Sequence, residues 1–157
     1  MKAVRKDEAA SSKAKPPFFN NILMRRAMLF LFLEIGLSAI NFFILMNLVY
    51  QPRWGELIAH QIGMSTRIVY IFILAYFTVR PIKSYSTRDL FMVGLFWMGS
   101  WLVLEWVGSF FMRRPVSEIL VGWNILNGYM WPYVLAAYLL SSLILGAVMR
   151  SVRRKKG

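Results

Sequence analysis

Four long stretches of apolar side chains alternate with short stretches that carry nearly all of the charged side chains. The long stretches cover about residues 27–49, 57–79, 90–112 and 131–149. A helix needs about 20 predominantly apolar residues to cross the ~30 Å hydrocarbon core of a bilayer. The pattern therefore predicts an all-α, polytopic membrane protein with four transmembrane helices.

The second stretch is the least regular of the four. Its uninterrupted apolar run, Ile68 to Val79, has twelve residues, and twelve helical residues cover only ~18 Å. A crossing helix must therefore begin near Leu57, which carries Arg67 into the membrane zone. The alternative is a short or surface-lying helix before Arg67. We favour the continuous helix.

The segments between the spans contain several local signals. The stretch from Phe18 to Arg26 is expected to be a short amphipathic piece at the membrane surface. The first span is expected to be followed by a turn at "YQPRWG", and Gly55 is the last residue of that turn. A short interfacial helix is predicted before the last span, over Val116 to Leu126, followed by a turn at Gly128. Pro132 falls in the first turn of the last span, where proline is tolerated.

The chain has 19 Lys and Arg against 7 Asp and Glu, and their distribution indicates an orientation. Fifteen of the 19 lie before the first span, between the second and third spans, or after the fourth. The positive-inside rule then places both termini in the cytoplasm, and we expect a bacterial cytoplasmic (inner) membrane. This gives a flexible basic cytoplasmic tail (1–17), a transmembrane domain (18–149) and a second basic cytoplasmic tail (150–157).

Composition excludes several kinds of chemistry. The chain has no cysteine and a single histidine, which excludes disulfides, thiolate metal sites, cysteine nucleophiles and multi-histidine metal sites. We therefore predict no metal and no cofactor. The basic residues flank apolar segments instead of covering a soluble face, so we predict the lipid bilayer as the partner and no nucleic acid.

Polar side chains inside the spans are the main candidates for function, because ionisable groups at membrane depth are costly. They are Glu34, Asn41, Arg67 and Glu105. Depths counted at ~1.5 Å per residue from the cytoplasmic edge place Asn41, Arg67 and Glu105 in one layer and Glu34 nearer that edge. We expect Arg67 and Glu105, on consecutive antiparallel helices, to pair. This is either a pair that only fixes the helix register or a functional pair in a cavity. In the alternative, Arg67 reaches outward and Glu105 is protonated or faces water.

Three further sets of residues are candidates, each with a plainer explanation in packing or headgroup anchoring. They are His60 as a proton relay; Trp97, Trp101 and Tyr70 as the wall of a pocket; and Arg113, Arg114 and Glu118 as an anion or lipid site at the outer surface.

These features favour a small transport or ion-handling protein with an intramembrane polar site. A single four-span chain makes a narrow bundle, so we expect a homo-oligomer or a larger membrane complex. The first alternative is a non-catalytic accessory or assembly subunit of such a complex. The second is a membrane-embedded enzyme acting on a lipid-like substrate with Glu105 or Glu118 as an acid–base group. We find no enzymatic motif, so a non-enzymatic role is favoured.

Overall fold

The computed structural model describes residues 21–155, and four of its helices are long and apolar enough to cross a membrane. The predicted N-terminal tail, the first residues of the predicted amphipathic piece and the last two residues lie outside the described residues. The elements in chain order are α1 (Asn21–Ala39), a π-helical segment (Ile40–Tyr50), α2 (Gln51–Trp54), α3 (Glu56–Val79), α4 (Thr87–Phe111), α5 (Val116–Val121), a 3₁₀ turn (Ile125–Asn127) and α6 (Trp131–Arg154).

The first transmembrane segment is longer than the sequence suggested. It is helical from Asn21 through Trp54, so the residues predicted to lie on the membrane surface as far as Arg26 belong to the spanning helix. The expected turn at "YQPRWG" is also largely helical, because Pro52 lies in the first turn of α2, where its missing N–H is tolerated. The helix ends at Gly55, whose φ of 80° suits a residue without a Cβ.

The π-helical segment forms the second half of this first span. Its wider winding is seen at its end, where the Gln51 N–H donates to the carbonyl of Met46, five residues earlier. The segment is fixed to α3 at Gly63: Asn41 Nδ2 donates to the Gly63 carbonyl at 2.9 Å, and Met46 occupies the space that a Cβ at Gly63 would need. Long π segments are rare, and π geometry is frequent at functional sites.

The next two spans follow from their sequence signals. Helix α3 is continuous across Arg67, as the length of the apolar run requires. Helix α4 begins with a capping box, in which Ser86 Oγ accepts from the Asp89 N–H at 3.1 Å and Asp89 accepts from the Ser86 N–H at 2.8 Å. Its C-terminus is closed by Arg113, which adopts a left-handed φ of 53°.

The predicted interfacial helix is present but shorter than Val116 to Leu126. Helix α5 ends at Val121, and Asn124 then caps the separate 3₁₀ turn by accepting from the Asn127 N–H. Gly128, at φ 86°, closes this turn before α6. A side chain that bonds to its own local backbone favours such turns over a longer helix.

The two ends of the bundle differ in composition. Arg26 donates to the Phe77 carbonyl at 3.4 Å, and Arg153 donates to the carbonyls of Arg80, Ile82 and Lys83. The start of α1, the loop before α4 and the end of α6 therefore share one end, which we call the basic end. The opposite end, formed by Gly55 and residues 113–130, is called the α5 end.

Helix α6 packs against both α3 and α4, and its contact with α4 depends on a small residue. A Cβ built on Gly94 would lie 2.3 Å from the carbonyl oxygen of Leu139, so the two backbones touch there. Close approach of backbones at small residues is a common way for transmembrane helices to associate. Large apolar side chains such as Phe32 and Phe77 point outward, as expected for surfaces that face lipid.

We expect Gly94→Ala to destabilise the protein by about 1–3 kcal/mol, because its methyl group would force α4 and α6 apart. Gly99→Ala, on the same helix, is the matched control. Its Cβ meets nothing within 4 Å, so it should be neutral or stabilising by up to about 1 kcal/mol. Thermal unfolding in detergent measures both. Equal melting temperatures for the two variants would contradict the close contact.

Candidate functional site

A polar network buried among three helices has Glu34 at its centre. The Glu34 side chain is fully buried in α1. Its Oε1 atom accepts from Ser38 Oγ at 2.6 Å, from Arg67 Nε at 3.0 Å and from the Tyr138 hydroxyl at short range. Ser38 Oγ also shares a hydrogen bond of 2.9 Å with the Tyr70 hydroxyl. The network thereby joins α1 to α3 and α6.

Arg67 occupies the middle of α3 and is only 7% exposed. Besides its 3.0 Å ion pair with Glu34, its guanidinium carbon lies 4.0 Å from the ring centroid of Trp101 and 5.2 Å from that of Trp131. A carboxylate and two aromatic faces are suitable surroundings for a guanidinium group away from water. The contacts explain how a positive charge is accommodated in the middle of an apolar helix.

The expected pairing of Arg67 with Glu105 is therefore wrong. Arg67 pairs with Glu34, on the first span, instead of with the carboxylate on the next one. Glu105 still interacts electrostatically with Arg67, but it makes no ion pair with it.

The reason is the vertical register of the first helix. Trp97 Nε1 donates to the Ala27 carbonyl at 2.9 Å, which puts residue 27 level with residue 97. Residue 97 lies eight residues after Asp89, or ~12 Å deeper. Arg26 and Asp89 therefore do not lie at one level. Depths counted from them as a common edge place the residues of α1 too near the basic end by about that amount. With the correction, Glu34 and Glu105 lie at a similar level.

A cavity of about 560 Å³ lies above this network and extends toward the α5 end. Ser38, Arg67 and Trp101 are at its deep side. The π-helical segment, α3, the second half of α4 and α5 surround it, and Arg114 and Glu118 stand near its mouth. The volume falls in the usual range for small-molecule sites, about 300–1,000 Å³.

Several polar atoms of the lining residues are buried and have no hydrogen-bond partner among the described residues. Buried polar atoms usually have such partners, and a bound water, ion or other molecule is one explanation for such a concentration. The atoms are Asn41 Oδ1, Arg67 Nη2, Trp101 Nε1, Glu105 Oε2 and Trp131 Nε1.

Glu105 is the most distinctive of these groups. It is partly buried in the wall of the cavity, beside Trp131, and it interacts electrostatically with Arg67 and Arg114. Both arginines have another carboxylate: Arg67 pairs with Glu34, and Arg114 pairs with Glu118 at 3.4 Å. Within the part of the chain that the structure describes, Glu105 thus faces the cavity without an ion pair.

The predicted pocket-wall residues have different positions. Trp101 lines the cavity. Trp97 is fully buried on the side of the cavity nearer the basic end, and its ring stacks on that of Phe30 with 3.7 Å between the centroids. The Tyr70 hydroxyl shares a hydrogen bond with Ser38 of the network. Trp97 therefore belongs to the packing that closes the cavity toward the basic end.

His60 lies in the cavity wall, but one of its nitrogens is occupied. Its Nε2 accepts from the Met130 N–H at 3.2 Å, just before α6 begins, and its ring meets Tyr129 edge-on at 5.0 Å. These contacts tie α3 to the start of α6. A role as proton relay stays a prediction.

The two outer arginines are adjacent in the chain, directly after α4, and they have different contacts. Arg113 is exposed and its backbone closes the helix. Arg114 and Glu118 form an exposed pair one helical turn apart at the mouth of the cavity. Whether these residues hold an anion or a lipid headgroup stays a prediction.

Tyr138 and Trp131, both on α6, belong to the site but were not singled out from the sequence. A signal for Tyr138 exists: Tyr138, Ser141 and Ser142 have the i, i+3, i+4 spacing of one helix face, and all three are buried. Trp131 gave no such signal, because a tryptophan at the start of a span is typical of the membrane interface.

Comparisons of the chain with protein-family models, curated proteins and solved structures found no match. Among the described residues, no group of three or more His, Cys, Asp or Glu side chains is arranged to hold a metal ion. The cavity offers hydrogen-bonding, charged and apolar groups to a small molecule.

Glu34→Gln and Arg67→Met should each destabilise the protein by about 3–5 kcal/mol, because each leaves a buried charge without its partner. The double variant should lose clearly less stability than the sum of the losses in the two single variants. Chemical unfolding in detergent measures this double-mutant cycle.

Two control variants distinguish this pair from other carboxylates. Glu118→Gln removes an exposed pair and should change stability by less than about 1 kcal/mol. Glu105→Gln should also be mild. If Glu105→Gln were as damaging as Glu34→Gln and coupled to Arg67→Met, the pairing described here would be wrong.

Proposed function

We propose that the chain is a small transport or ion-handling protein of the membrane, in which the cavity binds a solute and Glu105 carries the exchangeable charge. One observation supports this most directly: the cavity reaches from the α5 end to Arg67, in the middle of a transmembrane helix, and its lining residues include buried polar atoms without hydrogen-bond partners in the described part of the chain. Polar groups at this depth commonly mark a solute or proton pathway.

The proposal includes an orientation. With both termini in the cytoplasm of a bacterial inner membrane, the basic end faces inward and the cavity opens outward. The Glu34 network and the stacked Phe30 and Trp97 rings then close the inner side. Transport requires these contacts to rearrange so that the deep side of the cavity becomes accessible from the cytoplasm. In a homo-oligomer, the adjacent subunits would provide the surfaces against which the helices of this narrow bundle move.

An accessory or assembly subunit is the second candidate, and apolar side chains at the α5 end favour it. Leu126, in the 3₁₀ turn, is 96% exposed, and Phe110, in the last turn of α4, is 81% exposed. Exposed apolar side chains that cluster at one end suit a contact with another membrane protein. An enzyme acting on a lipid-like substrate has less support. Glu118, one of its two candidate acid–base groups, is exposed and paired with Arg114.

Transport can be tested without knowing the solute, because the chain contains no cysteine. We expect Ser38→Cys, at the deep side of the cavity, to react with a membrane-impermeant maleimide added to either face of the membrane. Gly108→Cys, nearer the mouth, should react faster from the outer face. Intact spheroplasts and inverted vesicles provide the two faces.

The variants are suited to this comparison. An added side chain at Gly108 meets nothing within 4 Å. Ala39→Cys lines the same cavity without disturbing a hydrogen bond and serves if Ser38→Cys does not fold. Reaction of both deep cysteines from the outer face alone indicates a static cavity, and transport would then be rejected in favour of the accessory role.

A further inference from the structure

We infer that the ligand of the cavity is an organic monocation with an apolar, preferably aromatic, body. The inference rests on the proposed function, since it names the class of solute that the same cavity would take. It is carried by the charges around the cavity, by the position of Glu105 and by the composition of the walls.

The charged groups around the cavity favour a cation. Its lining contains the carboxylates of Glu56, Glu105 and Glu118 and the guanidinium groups of Arg67 and Arg114. Glu34 lies directly behind Arg67 and neutralises it at 3.0 Å. The carboxylates around the cavity therefore outnumber the guanidinium groups, and an anion would enter a field that opposes it.

Glu105 is the place where the cation would bind. Glu105 lines the cavity without an ion pair among residues 21–155, and the two nearby arginines already pair with other carboxylates. A carboxylate at this depth is costly unless a proton or a cation neutralises it. The indole N–H of Trp131, which is 6% exposed, lies beside Glu105 and interacts with its carboxylate.

The walls are suited to the rest of such a ligand. Phe42 and Phe43 from the π-helical segment, Leu104 and Met112 from α4, and Tyr129 all line the cavity. Aromatic faces attract a cationic head through the ring quadrupole and also bury an apolar body. An ammonium group near Glu105 and an apolar group along the π-helical segment would use both properties.

The donors near Arg67 do not favour an anion. The guanidinium group lies over Trp101 at 4.0 Å, and its Nε is used by Glu34. An anion that reached Arg67 Nη2 would have to share the guanidinium charge with Glu34 and lie near Glu105. A cation at Glu105 avoids those repulsions, and the two arginines near it are each paired with another carboxylate.

Three benzyl compounds test the charge class on the full-length protein in nanodiscs, with isothermal titration calorimetry as the measurement. Benzyltrimethylammonium is the cation, neopentylbenzene is its neutral isostere and benzylsulfonate is the anion. We expect the cation to bind at least about tenfold more tightly than either of the others, a difference of about 1.4 kcal/mol.

Two variants locate the binding group. Glu105→Gln should weaken binding of the cation about tenfold, to the level of the neutral isostere. Glu118→Gln, whose carboxylate is exposed at the mouth and paired with Arg114, should leave binding within about twofold. Retention of its unfolding temperature shows that Glu105→Gln is folded.

Each other outcome overturns the inference. Equal binding of the cation and the neutral isostere would show an apolar pocket without charge selection. Preferred binding of benzylsulfonate would show that Arg67 and the indole N–H groups select an anion. Unchanged cation binding in Glu105→Gln would show that the cation binds at another place. None of these results affects the cysteine-labelling test, so the ligand class and the transport role can fail separately.

Discussion

A charged side chain in the hydrocarbon layer needs a partner, and this protein meets the requirement by pairing Glu34 with Arg67. Each belongs to a different span, so neutralising the two charges fixes α1 against α3. Tyr138 adds α6 by donating to the same carboxylate oxygen. A buried ion pair does not by itself guarantee stability, because desolvation offsets much of the attraction. Its stronger effect is on specificity: any register that separates the two groups leaves a charge unpaired among apolar side chains.

The same pair determines what is left for the cavity. Glu34 pairs with Nε of Arg67, and the guanidinium group lies over the ring of Trp101, which lines the cavity. The π-helical segment shapes the opposite wall, since it is fixed to α3 at Gly63 while Phe42 and Phe43 face the cavity. The packing that completes the bundle at the basic end thus leaves the α5 end open.

The sequence allowed the elements to be predicted better than their relative positions. The length of the apolar run required α3 to include Arg67, and the Ser86–Asp89 spacing is that of a capping box. Both are local properties of the chain. The partner of Arg67 depends on how far α1 slides along its neighbours, and that is set by contacts such as Trp97 with Ala27, which no local pattern encodes. Tyr138 was missed for a related reason: a hydroxyl becomes part of a site only when packing brings an acceptor to it.

Glu34 and Glu105 have different environments, and environment can give one residue type different roles. The Oε1 atom of Glu34 accepts hydrogen bonds from three side chains on three helices, so any change at Glu34 would disturb all of them. Such a group cannot readily bind and release a ligand without loosening the bundle. Glu105 lies at a similar level and faces a cavity, and no described residue forms an ion pair with it. Under the proposed function, the ligand binds at Glu105 and leaves again while the Glu34–Arg67 pair holds the helices in place.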